Sequence, residues 1–435
     1  MRPNFVFILA DDLGYADLGC YGARAAVTPA LDRIAREGLR FTDGYANSPV
    51  CSPTRFALMT GRYQYRFRGG AEEPLGSRTR GNRELGLPPA LPTLPSLLRA
   101  AGYATALVGK WHLGYPPHFG PCKSGYDSFF GSMGGAIDYF SHRDRRGVHD
   151  LYDGDVERRV DGYATDLFTA RAVEYIERRR GNPQPFFLSV HYTAPHWPWE
   201  TRHDGEESRR IGDAIYHVDG GSLATYREMV REMDEGIGSI VDALRRTGAD
   251  DDTLLVFTSD NGGERYSDNW PFVGQKMDLL EGGVRVPLVA RWPARIPAGG
   301  VTSQLAITMD WVATMLASAG VQPHPEHPLD GADLSAVLSD PSATVSRTLY
   351  WRMKHRAQRA VRHGNWKFLS MDGSEFLYDL AQDARERANL ASRFPGTLRE
   401  MRERYARWDA TMPPVPDDAA VHLVYGPSDM ARPTG

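Results

Sequence analysis

The sequence predicts an α/β protein: a large, mostly parallel or mixed sheet sandwiched by helices, followed by a smaller α+β region with a short antiparallel sheet. Three observations predict it. Apolar strand-like runs alternate with amphipathic segments through roughly the first 330 residues, as in a sheet with helices on both faces. The runs are continuously apolar, as strands buried on both faces are. From about residue 345 the pattern changes to short strands with turns between them, which reads as an antiparallel sheet. The division expected is a larger domain over 1–340 and a smaller one over 341–435 with an extended, Pro-rich tail after 412 packed on the surface.

Each element has its own signal. FVFILA (5–10) is a continuous apolar strand. TPALDRIAREG (28–38) is a helix with Thr28 as cap, Pro29 in the first turn and Gly38 at its end. TLPSLLRAAG (93–102) repeats that grammar and leads into the strand YATALVG (103–109). A helix over about 163–180 precedes the strand PFFLSVHY (185–192), and another over 223–247 precedes TLLVFTS (253–259). ITMDWVATMLASAG (307–320) is a further helix. TLYWRM, AQRAVRHGNWKFLSM and EFLYDL supply the late strands, and TLREMRERYARWDATM the last helix.

Composition excludes several classes. With 51 Lys plus Arg against 55 Asp plus Glu, the net charge is −4, so no bulk field draws the chain to nucleic acid or an acidic membrane. No apolar run is long enough to span a bilayer. The start, MRPNFVFILADDLG, has a short apolar run that meets two aspartates at once, which reads as a buried strand rather than an export signal. The expected location is therefore cytoplasmic, or periplasmic or secreted after loss of a leader. The cysteines are Cys20, Cys51 and Cys122. So few argue against a disulfide framework; free thiols are expected, with a Cys20–Cys122 bridge as the alternative.

Polar residues collect where predicted strands end. The first runs into Asp11 and Asp12, the strand at 103–109 into Lys110 and His112, that at 185–192 is followed by His196, and that at 253–259 runs into Asp260 and Asn261. Open α/β sheets bind ligands beyond the carboxyl ends of their strands, so these residues are expected to converge. Asp11, Asp12, Asp260 and Asn261 offer only oxygens, and gathered carboxylates repel unless a cation lies between them. Oxygen ligation suits Ca²⁺ or Mg²⁺ rather than zinc. Taken singly, the aspartate pair reads equally as a helix cap and DNGG as a turn. Cys51 opens CSPTRFALMTG, with Pro53 near the first helical turn and Gly61 near the end. That puts Cys51 and Arg55 at a helix start, where anions are favoured. Cys51 is then a nucleophile, a buried filler, or the precursor of another group, since a soft thiolate among hard oxygen ligands is a mismatch.

The segment CSPTR resembles the Cys-x-Pro-x-Arg signature of type I sulfatases, in which the cysteine is oxidised to formylglycine and hydrated to a gem-diol. NFVFILADDLGYADLGCYG, GYATALVGKWHLG, TAPHWP, FTSDNGG and GQKMDLLEGGVRVPLVARWP are similar to other blocks of that family, and RHGNWKFL with EFLYDLAQDARERANLA to its C-terminal region. The likeness covers about 3–392 and is nearest the arylsulfatase and N-acetylgalactosamine-6-sulfatase branch. It implies an alkaline-phosphatase-like fold and hydrolysis of an aryl or carbohydrate sulfate monoester. It implies Cys51, as formylglycine, as nucleophile, and Asp11, Asp12, Asp260 and Asn261 as holders of Ca²⁺ (Mg²⁺ less so), with the modified Cys51 completing the shell. Arg55 and Lys110 would hold the diol, His196 and Lys276 the sulfate, with one of these two protonating the leaving oxygen, and His112 would take a diol proton so that sulfate leaves. The implied partners are a small sulfated substrate and a formylglycine-generating enzyme, with no nucleic acid and no membrane. Positive charge and a positioned acid suit an anionic ester with a poor leaving group.

The segment FFGSMGGAIDYFSH departs from the family pattern; Asp138, Tyr139 and His142 are candidate substrate contacts there, against a structural loop. Trp197, Trp199 and Trp270 are candidate apolar walls or packing residues, and Arg285 is expected to pair with Glu281. Loops near 64–90, 132–160 and 200–222 should shape the pocket. A phosphonate or phosphate ester hydrolase on the same fold is the alternative activity, and a lectin-like binding module the non-catalytic one.

Overall fold

The computed structural model describes residues 2–25 and 27–423. A ten-stranded sheet runs in the order Gly300–Thr302, Leu39–Phe41, Leu288–Arg291, Thr253–Ser259, Asn4–Ala10, Phe186–His191, Ala104–Gly109, Ser128–Gly131, Tyr152–Asp153, Val156–Glu157. The five strands from Thr253–Ser259 to Ser128–Gly131 are mutually parallel. Leu288–Arg291 is antiparallel to both its neighbours, and the last two strands form an antiparallel hairpin. The sheet is thus mixed, with a parallel centre, as expected.

The first strand shows why its sequence reads as unbroken apolar. Val6, Ile8 and Ala10 pack into the core on one face; Phe5, Phe7 and Leu9 pack into the core on the other. Burying the Val, Ile, Leu and Phe side chains among them contributes about 1.5–3 kcal/mol each. The helices Ala164–Glu177 and Leu223–Thr247 cover the first face, and Cys51–Thr60, Leu94–Ala100 and Asp310–Ala319 the second. Among the described residues no helix is long and apolar enough to cross a membrane. Cys20, Cys51 and Cys122 are free thiols, with Cys20 against one core and Cys122 against the other.

Two local expectations are corrected. Helix Pro29–Arg36 is not capped by Thr28, whose hydroxyl accepts a hydrogen bond from the Gly19 N–H at 2.9 Å. Asp234 reaches across instead and accepts from the N–H groups of Ala30 and Leu31 at 2.9 and 2.8 Å. The helix expected from 307 begins at Asp310, because the Ile307 N–H is taken by the Asp310 carboxylate at 2.7 Å and Ala306–Ile307 pairs with Gly44–Tyr45.

Thr348–Arg352, Arg359–His363, Trp366–Met371 and Ser374–Asp379 form a four-stranded antiparallel meander, with the helix Pro395–Asp409 against it. Its core is shared with Val50 and Ala57, so it packs directly on the Cys51–Thr60 helix. Residues 417–423 run alongside Glu72 and Glu73; the tail beyond 423 lies outside the described residues.

Candidate active site

Strand register brings the polar residues to one level. Ala10 lies opposite Ser259, and Leu9 and Gly109 both lie opposite His191. Asp11, Asp260 and Lys110 therefore leave three of the parallel strands at one level. Gly109 makes the exit possible: its φ is +105°, and a Cβ there would lie 1.9 Å from the His191 carbonyl oxygen. Asp12, His112 and Met277 also take positive φ values of 63°, 59° and 76°, uncommon backbone states that cluster at functional sites.

The helix Cys51–Thr60 starts at Cys51 and is buried along its whole length, with Gly61 closing it in the left-handed region. One turn in, the buried Arg55 donates from Nε and Nη2 to Asp260 Oδ2 at 3.1 and 2.8 Å and from Nη1 to the Lys110 carbonyl at 3.0 Å. Lys110 Nζ donates to Asp11 Oδ2 at 2.5 Å, and Lys276 Nζ to Asp12 Oδ2 at 2.6 Å. Asn261 donates to Asp12 Oδ1 at 2.7 Å. Burial opposes charge on Asp12, yet Lys276 and His196 hold its carboxyl down to about 2. Burial, then the charge of Asp11, pushes Asp260 up to about 7. Burial raises the Cys51 thiol far above its ordinary range, although Lys110 and Lys276 pull the other way.

Asp11, Asp12 and Asp260 are already matched by Arg55, Lys110 and Lys276, so their gathering does not by itself demand a metal. The stronger sign is that two buried acceptors, Asp11 Oδ1 and Asn261 Oδ1, lack hydrogen-bond partners, a costly state for buried polar atoms. Asp11, Asp12, Cys51 and His196 offer ligand atoms all within 4.8 Å of one another. The oxygen donors and the orphaned acceptors fit a hard divalent cation.

Both histidines are neutral and have assignable tautomers. The Leu75 carbonyl lies 2.7 Å from His112 Nε2; a carbonyl only accepts, so Nε2 carries the proton and the buried, unpartnered Nδ1 is a free lone pair. Burial, then the Lys110 charge, holds His112 well below the usual range. By the same logic His196 donates from Nδ1 to the Trp197 carbonyl at 2.7 Å and turns Nε2 toward Asp12 Oδ2 at 3.5 Å. Burial and Lys276 hold it low as well. Cys51, His112, His196 and Lys276 all line one cleft, with Trp197 beside them.

A sequence model of the sulfatase family matches residues 3–321. The chain belongs to the sulfatase family. A second model, described as the C-terminal part of N-sulphoglucosamine sulphohydrolase, matches residues 272–404. The sulfatase is 35% identical over 369 residues to N-acetylgalactosamine-6-sulfatase of Sus scrofa, spanning 80% of this chain and 68% of that protein. It is 32% identical over 490 residues to arylsulfatase A of Homo sapiens, spanning 99% and 90%. The solved structure of Ps i-CgsB in complex with k-i-k-neocarrahexaose superposes with a TM-score of 0.83 at 30% identity, covering 94% of this chain and 93% of that one. The sulfatase is accordingly a hydrolase of sulfate esters with an alkaline-phosphatase-like fold.

Asp138 and His142 do not reach the cleft. Asp138 Oδ1 accepts from the N–H groups of Phe140 and Ser141 and from the Ser208 hydroxyl at 3.0, 2.6 and 2.8 Å; it shapes its own turn. His142 is buried behind it, its ring 6.1 Å from that of His149. Tyr139 is indirect: its hydroxyl donates to the His196 carbonyl at 2.9 Å and so holds that loop. Of the tryptophans only Trp197 lines the cleft; Trp199 is buried against Tyr266, and Trp270 is exposed under Arg385. Arg285 pairs with Glu281 at 3.1 Å and with Asp43 at 3.0 Å.

Two residues carried no sequence signal. Gly135 backs His112: a Cβ would sit 2.4 Å from His112 Cε1. Gly135→Ala should lower kcat by about tenfold or more by displacing the ring, with little change in thermal unfolding; turnover assays beside melting curves check this. Gln358, from the C-terminal sheet, donates to the Met277 carbonyl at 2.9 Å and accepts from the Leu279 N–H at 2.8 Å. It clamps the loop that presents Lys276. Gln358→Ala orphans both groups and should cost about 2 kcal/mol of stability and weaken substrate binding; thermal unfolding and KM report on each.

Proposed function

We propose that the sulfatase hydrolyses a sulfate monoester of an aryl alcohol or a sugar, using Cys51 after its conversion to formylglycine by a separate maturation enzyme. The observation that carries this is the meeting of Cys51, His112, His196 and Lys276 on one cleft, directly in front of the Asp11, Asp12, Asp260 and Asn261 set. Burial disfavours a thiolate at Cys51, which supports its role as a precursor rather than as the nucleophile itself. The names of the porcine relative and the oligosaccharide-bound neighbour support a sugar sulfate.

The carboxylate set would hold Ca²⁺; Mg²⁺ fits less well, because it prefers to keep several waters. Such a cation supplies Lewis-acid polarisation of sulfate oxygens. It also supplies the surplus positive charge that the matched ion pairs lack. Lys276, a cation turned toward Asp12, is the group that donates to the sulfate and the leaving oxygen, with His196 beside it. His112 Nδ1 takes the proton of the nucleophilic residue. Arg55 fixes Asp260 and the Lys110 backbone, and Lys110 fixes Asp11.

Converted protein should turn over 4-nitrophenyl sulfate at least about a hundredfold more efficiently than 4-nitrophenyl phosphate. The reverse ratio would instead identify a phosphoryl hydrolase. Removal of divalent cations with EGTA should abolish sulfate release, and added Ca²⁺ should restore it. Full activity after exhaustive chelation would contradict the cation assignment.

A further inference from the structure

The outer part of the cleft is built differently from its floor. One wall is apolar: Leu75, Trp197, Ile215, Tyr216 and Leu423. The His196 and Trp197 rings lie 4.0 Å apart and the Trp197 and Tyr216 rings 4.5 Å apart, a continuous aromatic surface leading away from the reacting end. Arg145 and His422 line the same cleft beside this wall.

Arg145 is half-buried and has no carboxylate partner among the described residues. Its guanidinium donates to the Tyr216 hydroxyl and lies 5.4 Å over that ring, which leaves most of its donors without acceptors among the described residues. The neighbouring Asp144 does not neutralise it: that carboxylate pairs with Arg80 at 3.1 Å and accepts from the N–H groups of Arg146 and Val148. His422 is delivered by a strap. Its N–H donates to the Glu73 carbonyl and the Glu73 N–H donates to the Ala420 carbonyl, both at 2.9 Å. Lys354 Nζ holds the strap at the carbonyls of Asp417 and Ala419, at 2.6 and 2.7 Å, and Arg68 pairs with Asp418 at 3.0 Å. Glu72, 3.7 Å from His422, is already paired with Arg68 at 2.6 Å. Burial holds His422 below its usual range; Glu72 opposes this, and Arg145 and Arg78 add to it.

We propose that Arg145 and the strap residue His422 form a second anion subsite, which takes a further sulfate or a carboxylate on the sugar that carries the scissile ester. This rests on the sulfatase reading of the same cleft. The preferred substrates are then ends of polyanionic glycans, with the ring on the Trp197–Tyr216 wall and one anion at each end of the cleft. The strap makes the chain's C-terminal segment a determinant of specificity.

The test compares converted wild-type enzyme with Arg145→Gln and His422→Gln on four probes: 4-nitrophenyl sulfate, a monosulfated hexosamine, the same hexosamine with a second sulfate, and the monosulfated hexosamine linked to a uronate. Wild type should favour at least one dianionic probe over the monosulfated hexosamine. Arg145→Gln should cut that preference about tenfold, mainly through KM, with a smaller loss in His422→Gln. Arg145→Lys, which keeps the charge, should retain part of the preference. Whichever dianionic probe shows the effect identifies the second anion. No preference in wild type, or a preference that neither variant moves, overturns the subsite while leaving the sulfatase reading intact. No sulfate release from 4-nitrophenyl sulfate by converted wild type overturns the underlying reading instead.

Discussion

Cys51→Ala protein, expressed with a formylglycine-generating enzyme, should lose at least about 10⁴-fold in kcat on 4-nitrophenyl sulfate, because the nucleophile is removed outright. The fold should hardly notice. Cys51 is 2% exposed, but only one sulfur atom is lost, at a cost of about 1 kcal/mol. The helix it opens is fixed by its other buried residues and by Gly61. A melting curve near that of the wild type, together with absent turnover, is the expected pair of results. Rapid turnover by this variant would remove Cys51 from the chemistry.

His112→Gln is the second large effect. The imidazole is held by the Leu75 carbonyl through Nε2, so its Nδ1 lone pair is aimed by structure rather than by chance. A glutamine keeps a donor for Leu75 but has no base. Its kcat should fall by about 10²–10⁴. The loss should fall on sulfate release rather than on cleavage of the ester: one equivalent of 4-nitrophenol per active site appears quickly, and release then stalls. Rapid-mixing absorbance for the phenol, beside an assay for free sulfate, separates the two steps. A slow reaction with no burst would place His112 before ester cleavage instead.

Much of this site was legible because strand ends and glycines are local signals. The runs before Asp11, Lys110 and Asp260 are short, apolar and continuous, and parallel register then lines up whatever follows them. Gly61 reads as the end of a helix and is. What failed was set by tertiary partners. Thr28 has the chemistry of a cap, but its hydroxyl faces Gly19 and Asp234 takes the role from 206 residues away along the chain, counted from Thr28. Asp138 and His142 look like substrate ligands in a polar loop, but Asp138 serves the backbone of its own turn. Gln358 and His422 sit in unremarkable stretches; only folding brings Gln358 to the loop that carries Lys276 and the strap residue His422 to the cleft. The carboxylate set was legible as a cluster, whereas its neutralisation by Arg55, Lys110 and Lys276 needed coordinates.

The central claim is that Cys51 is a precursor. The mass of the tryptic peptide FTDGYANSPVCSPTR, residues 41–55, from protein expressed with a formylglycine-generating enzyme tests it most directly. The account predicts the aldehyde form of the peptide, captured by a hydrazine, in proportion to the sulfatase activity of the same sample. An intact thiol in a sample that turns over sulfate esters at full rate would contradict it.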